Sequence, residues 1–395
     1  MIAEFSVENF FSIKSPQKIS FEPSSDTFMS DEYSCEVKDG VRLLKVGIIY
    51  GANASGKTNI LNAIEFFRML VLRMPKDRNE KTRVVPFMLD DTSRNEMTKM
   101  SMSFYINQSK FILTFELNAK YIYSETLIVY DSIRPTKLYS RSYDAETDST
   151  AIDFGGNLKL TKKSQDVISG NTINNCSVLA AFGKSNVERT RLNDVYDYFA
   201  NQVKDVLAPG MLLSGYVKSR LDKDENGDLK KFILNFLKAS DFNIEDVVLH
   251  EEEELITPEL EQLIQNAPIG NEAKAEMLRK GKITNTELTF KHKAGDGLYD
   301  LSEEYESNGT MRFMGLAVIL NFLLKTNRFV PIDEVETSIH YELLAYFLKV
   351  FLANSEGTSQ MLLTTHDINL LNEDFIRRDT IWSVSYTHLT LPTIA

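Results

Sequence analysis

The pattern of apolar and polar positions changes character several times along the chain. Ile2 to Val7 and Gln17 to Phe21 read as two short strands joined by a turn at Ser12 to Pro16. Leu43 to Tyr50 is a near-continuous aliphatic and β-branched run, which predicts a strand covered on both faces, as in a parallel sheet. The apolar run then ends in glycine. Past it, Ile60, Leu61, Ile64, Phe67 and Val71 recur at three- and four-residue intervals, so the spacing predicts an amphipathic helix that Met74-Pro75 terminates. Lys76 to Arg83 is a charged connector.

From Ser101 to Arg141 short alternating segments separated by polar turns predict an antiparallel β region. Beyond it, to about residue 285, the pattern is mostly helical. Leu192, Val195, Tyr196, Phe199 and Val203 form one apolar stripe there, and no heptad repeat lasts long enough for a coiled-coil arm. The last third returns to alternation of strand and helix: Thr286 to Phe290, Met311 to Leu324, Arg328 to Ile332, Tyr341 to Leu352 and Gln360 to Thr364.

Composition narrows the class. With 395 residues and 43% hydrophobic content, the chain can bury one large core or two modest ones, which excludes wholesale disorder. The longest apolar run, Met314 to Leu324, is broken by Asn321 and reads as a buried helix rather than a membrane span. Glu4 stands where a signal peptide would be basic, so a cytoplasmic protein without a membrane partner is expected. Cys35 and Cys176 lie far apart in no metal-ligand or redox spacing, which fits a reducing compartment. A net charge of -12 repels polyphosphate backbones, so nucleic-acid contact would need a local basic patch or a partner.

The chemistry concentrates in four places. Gly51-Ala52-Asn53-Ala54-Ser55-Gly56-Lys57-Thr58 satisfies G-x-x-x-x-G-K-[ST] between a buried strand and an amphipathic helix, the setting that confirms a phosphate-binding loop. There the glycines turn backbone N–H groups inward and the helix N-terminus adds its positive end. Lys57 would reach the β- and γ-phosphates, and Thr58 would put its hydroxyl on Mg²⁺. Arg328 to Ile332 is an apolar run closed by Asp333 and Glu334, carboxylates that could hold a metal's water shell and polarise an attacking water; alone, such a run is an ordinary strand end. Pro331 is awkward for a central strand. Leu362-Leu363-Thr364-Thr365-His366-Asp367 is a second apolar strand ending in histidine, and Ser307-Asn308-Gly309-Thr310 opens the Met311 helix with small residues suited to a phosphate oxygen or to a plain helix cap.

The order of these motifs resembles the ABC-type ATPase head shared by SMC and RecF-like proteins. It is more closely similar to the bacterial "AAA family ATPase" group found in anti-phage defence loci, relatives of the OLD-family ATPases. N-F-F-S-I-K at Asn9 to Lys14, G-A-N-A-S-G-K-T, E-S-N-G-T, I-D-E-V-E-T-S-I-H and T-T-H-D carry the likeness to about Ser383. The resemblance implies that Gly51 to Thr58 is Walker A, Asp333 and Glu334 are Walker B, His366 is the switch histidine, Ser307 to Thr310 is the signature motif and Ser338 belongs to the D-loop. It implies ATP and Mg²⁺ as ligands, catalytic roles for Lys57, Glu334 and His366, metal contacts from Thr58 and Asp333, and a homodimer closing two copies around ATP. Three features depart from it: the signature is S-N-G-T, Phe11 stands where a basic residue is frequent, and no Q-loop glutamine can be placed.

The expected fold is α/β: a P-loop NTPase head of ABC type whose halves are 1–83 and 286–383, with an antiparallel β subdomain at 84–170 and a mainly helical insertion at 171–285. The expected activity is ATP hydrolysis driving a dimerisation switch in phage defence or a nucleic-acid transaction, with a nuclease or other effector supplied by a neighbouring gene as a candidate partner. Two alternatives stay open: a nucleotide-binding subunit of an ABC transporter, which needs a membrane partner, and a nucleotide sensor that does not hydrolyse. Asp222 to Gly227 begins like a calcium loop, but Ile233 occupies the twelfth position where a bidentate Glu is required, so a polar turn is the better reading. Glu251 to Glu254 reads as a solvated acidic face. Val384 to Leu389 matches the translation of a transposon-derived sequencing adapter, so 384–395, His388 included, is set apart from functional reasoning and the natural chain is expected to continue differently.

Overall fold

The computed structural model describes residues 1–240, 242–267 and 270–384; most of the adapter-like tail therefore lies outside the described residues. The chain divides into two compact units, one from Met1–Met211, Leu323–Thr337 and the segment from Leu348 onward, the other from Leu212–Phe322 and Ser338–Phe347.

The first unit is built on two sheets. A seven-stranded antiparallel sheet runs in the spatial order Ser149–Phe154, Thr136–Asp144, Ile122–Tyr130, Ser109–Leu117, Thr98–Ile106, Ile2–Glu8, Gln17–Ser20. The β region therefore does not begin at residue 84. Ile2–Glu8 pairs directly with Thr98–Ile106, because alternating apolar residues of both strands cover the same core. The second sheet is four-stranded and parallel, in the order Phe329–Ile332, Gln360–Thr365, Val46–Gly51, Ile381–Val384. Its two central strands, Val46–Gly51 and Gln360–Thr365, are buried at nearly every position, the signature of a sheet covered on both faces.

The helix Lys57–Leu72 bridges these sheets. Its Phe67 ring meets Phe5 and Phe115 of the antiparallel sheet at centroid separations of 5.9 and 5.1 Å, both edge-on. Such pairs add about 0.5–1.5 kcal/mol beyond their burial. A second tie is polar. Gln360, fully buried, accepts the Ile2 N–H at 2.7 Å and donates to the carbonyls of Ile2 and Leu44 at 2.9 and 3.0 Å.

Three expectations change. The single strand expected over Leu43 to Tyr50 is two: Val41–Leu44 pairs with Ser34–Lys38, and Val46–Gly51 enters the parallel sheet. The break falls at Lys45, whose buried ammonium donates to the Ser355 carbonyl at 2.6 Å while its N–H donates to Tyr33 O. The helical stripe from Leu192 ends as a helix at Asp197 and continues as a wider turn over Tyr198–Gln202. Pro331 sits in an edge strand: its carbonyl accepts from Leu207 N–H at 2.9 Å, so the missing N–H falls on the side of the irregular 203–207 segment and the ladder to Gln360–Thr365 is intact.

The second unit holds a three-stranded antiparallel sheet, Ile244–Leu255, Lys282–Ala294 and Gly297–Ser302, so the stretch expected as mainly helical also carries one long strand. Its core is aromatic. Phe236 stacks on Phe313 at 4.7 Å and meets Tyr346 at 5.0 Å. The calcium-loop look-alike is a cap, with Asp224 accepting the N–H groups of Leu229 and Lys230 at 3.1 and 2.8 Å.

Candidate functional site

In the first unit the register of the parallel sheet decides what meets. Tyr50 is level with Thr365, and Ile332 with Leu363, so Gly51, Asp333 and His366 all emerge at the carboxyl ends of their strands. This is the edge at which open α/β sheets bind ligands.

The phosphate-loop strand ends at Gly51 and the next helix begins at Lys57. Between them Ala54 has φ 60° and Gly56 φ 102°. The latter conformation favours glycine. No side chain caps the helix at Gly56, and although Asn59 N–H donates to the Gly56 carbonyl at 3.0 Å, an uncapped helix N-terminus of this kind is suited to an anion. Lys57 is buried, and its ammonium donates to the carbonyls of Gly51 and Ala52 at 2.7 and 3.0 Å. Burial lowers its pKa against the opposing pull of Glu336, Glu334 and Asp333. The Ser55 hydroxyl is also buried, without a hydrogen-bond partner among the described residues.

Thr58 Oγ1 donates to Asp333 Oδ2 at 2.9 Å, joining residues 275 positions apart. Thr364 Oγ1 donates to the other oxygen, Oδ1, and accepts the N–H of Glu334 at 2.8 Å. Glu334 is half-buried with φ 42°, a left-handed conformation that costs a non-glycine about 1 kcal/mol or more. Thr337 holds the turn by donating both its N–H and its hydroxyl to the Glu334 carbonyl at 2.9 and 2.8 Å. The exposed His366 closes the site, its main-chain N–H 2.8 Å and its Nδ1 2.7 Å from Glu336 Oε1. Ser12 of the N-F-F-S segment accepts from Asn59 Nδ2 at 2.8 Å, so that segment touches the helix after the phosphate loop.

The signature residues lie in the second unit. Ser307 is an exposed helix cap: its hydroxyl accepts the Thr310 N–H at 3.0 Å and sits 2.8 Å from Thr310 Oγ1. Asn308 is exposed, and a Cβ on Gly309 would stand 2.8 Å from the Ser338 carbonyl, so glycine is required for this approach. Ser338 itself has φ 65°.

The profile of the family described as "AAA domain, putative AbiEii toxin, Type IV TA system" matches residues 48–372, from the phosphate-loop strand past the histidine. The chain belongs to this AAA family. No curated protein matches it. Among solved structures the AAA chain is similar to the SMC head domain from Thermotoga maritima, with 13% identity and a TM-score of 0.42 over 98% of this chain and 95% of that one. It is also similar to an Smc head bound to the C-winged helix domain of ScpA, with 14% identity and a TM-score of 0.40 over 97% and 93% of the two chains. A third is the Pyrococcus furiosus Smc head with an extended coiled coil bound to the C-terminal domain of ScpA, at 11% identity, a TM-score of 0.39 and coverage of 98% and 93%.

The donor set of this AAA domain fits a nucleotide with Mg²⁺. Among the described residues no three His, Cys, Asp or Glu side chains could hold a metal together. Thr58 and Asp333 offer one hydroxyl and one carboxylate, the sparse protein contribution that suits Mg²⁺ shared with substrate phosphates. Among the described residues no helix is long and apolar enough to cross a membrane. Both cysteines are free; burial pushes the Cys176 thiol up to about 12, which leaves it inert as a nucleophile. Sequence reasoning passed over Thr364 and Glu336. The signal was present in T-T-H-D and in the third acid of D-E-V-E, but neither has meaning until the strand order is known.

Proposed function

We propose that this chain binds ATP with Mg²⁺ at the Lys57, Thr58 and Asp333 cluster and hydrolyses it. The observation that carries the reading is the 2.9 Å bond from Thr58 to Asp333, which joins a phosphate loop to the acid of a distant strand. Lys57 would leave the loop carbonyls for the β- and γ-phosphates, Thr58 and Asp333 would hold the metal and its waters, and Glu334 would polarise the attacking water. His366 would face the γ-phosphate. Catalysis here is positioning and electrostatics, without a covalent intermediate. Ser307, Asn308, Gly309 and Thr310 would complete the site of a second copy, making ATP the bond between two protomers and hydrolysis their release. The family's description, which names an AbiEii toxin and a type IV TA system, supports a defence setting; a nuclease or other effector from a neighbouring gene would be the partner there.

Purified full-length chain should bind a fluorescent ATP analogue in the presence of Mg²⁺ and release phosphate. Lys57→Ala should abolish binding, while Glu334→Gln should keep binding and lose about 100-fold or more in turnover. Sedimentation of the Glu334→Gln protein should show a dimer with ATP and a monomer without it. Absence of nucleotide binding by the unmodified protein would remove the proposal, and binding without turnover would leave a sensor.

A further inference from the structure

Glu336 is the acid that the D-E-V-E segment carries beyond Asp333 and Glu334, and neither metal binding nor water activation uses it. Its side chain is only 9% exposed, whereas the His366 side chain is 49% exposed. One oxygen, Oε1, takes two contacts from the same residue: the main-chain N–H of His366 at 2.8 Å and its Nδ1 at 2.7 Å. The other, Oε2, is buried with no hydrogen-bond partner among the described residues. Around the pair the order is fixed. Val335 N–H donates to the Thr364 carbonyl at 3.1 Å, which ties the strand end that carries Glu336 to the one that carries His366, and Asp367 N–H donates to Thr365 Oγ1 at 3.1 Å, which holds the turn after His366.

An ionised carboxylate only accepts hydrogen bonds, so the ring nitrogen that faces it must carry the hydrogen. That nitrogen is Nδ1. The tautomer is thereby set, and the exposed edge of the ring is Nε2. We propose that Glu336 is a positioning residue for His366: its Oε1 grips main chain and imidazole together, fixing rotamer and tautomer so that Nε2 is the edge offered to the terminal phosphate. The inference rests on the ATPase reading for the role of His366 in turnover, and on geometry alone for the grip. An exposed histidine would otherwise sample several rotamers and both neutral tautomers, and each misplaced state would reduce the competent fraction. Glu336 also stands close enough to Lys57 for its charge to act on the ammonium, so the grip links the histidine to the phosphate-loop side of the site.

The test has two independent readouts on the full-length chain. With ¹⁵N-histidine labelling, and the His366 signals identified by their loss in His366→Gln, the ring should carry its proton on Nδ1; in Glu336→Ala the proton should move largely to Nε2. A ring that keeps Nδ1–H in Glu336→Ala, or that lacks it in the wild type, overturns the proposal. In turnover, Glu336→Ala should lower kcat about 10- to 100-fold with KM for ATP within about 2-fold, and Glu336→Gln, whose amide oxygen can still accept, should recover part of the loss. The double variant Glu336→Ala with His366→Ala should be no slower than His366→Ala alone. Multiplying losses would mean that Glu336 acts without the histidine, against the proposal. If the wild type shows no turnover, the hydrolysis reading fails and the imidazole spectrum still decides the grip. Should Glu336→Ala fail to fold, Glu336→Gln serves both readouts, with a shifted tautomer ratio expected and an unchanged spectrum and kcat counting against the idea.

Discussion

Thr364 Oγ1 is used twice, donating to the Asp333 carboxylate and accepting the Glu334 N–H, so one methyl-for-hydroxyl exchange disturbs both acids. Thr364→Val keeps the shape of a fully buried side chain while leaving a buried carboxylate oxygen and an N–H unmatched. Denaturant titration is expected to show a loss of about 1–3 kcal/mol. Phosphate release should fall by at least about 10-fold with nucleotide affinity less affected, because the phosphate loop is untouched. Arg312 is the opposite case, a buried guanidinium none of whose nitrogens has a hydrogen-bond partner among the described residues. Burial lowers its pKa, which marks the folded state as unfavourable to its charge. Arg312→Met should therefore raise the unfolding free energy by about 1–3 kcal/mol and move the denaturation midpoint up with it. An unchanged or lower midpoint would mean that the guanidinium has a stabilising role that its contacts do not reveal.

Among the elements, Gln360 shows how a buried amide can join two sheets. It satisfies the N–H and C=O of Ile2 and the C=O of Leu44, and none of these groups has water as an alternative. Gln360→Leu fills the same space and orphans all three, so a loss of about 2–4 kcal/mol is expected in chemical denaturation, with the m-value unchanged. This residue also marks where sequence reading stops. The phosphate loop, the acids after Ile332 and His366 were legible because each is a local pattern at the end of an apolar run. Gln360 and Glu336 were not, since their roles come from strand neighbours far away in sequence. The break at Lys45 was hidden for a different reason. A single buried lysine inside a long apolar stretch does not disturb its periodicity, and the carbonyl that receives it, Ser355, is 310 residues away.

For the whole molecule, the buried Arg377–Asp379 pair contributes to the acid limb of stability. Arg377 and Asp379 are 1% and 8% exposed, bound through Nε to Oδ1 at 3.0 Å and Nη2 to Oδ2 at 2.6 Å. Arg377 also donates to the carbonyls of Asp26 and Phe28, tying the chain before Met29 to the segment before the last strand. Burial pushes the Asp379 carboxyl up, but hydrogen bonds from Arg377 and Ser24 outweigh it and leave the group below its ordinary 3.8. A carboxylate lowered on folding contributes stability that is complete above its unfolded value and is lost as pH falls through its folded one. Unfolding free energy measured from pH 6 to pH 2 should therefore fall most steeply below about pH 4. Asp379→Asn should remove most of that component and cost about 3–5 kcal/mol at neutral pH, because a buried guanidinium loses its counter-charge.

The position of Val46–Gly51 in the parallel sheet has a consequence for biosynthesis. Both of its ladder neighbours, Gln360–Thr365 and Ile381–Val384, are translated more than three hundred residues later. Until they leave the ribosome, a fully apolar strand with two open edges waits without hydrogen-bond partners, the situation that invites chaperone holding or aggregation. The strand that leads into the phosphate loop is thus made well before the two strands that complete its ladder.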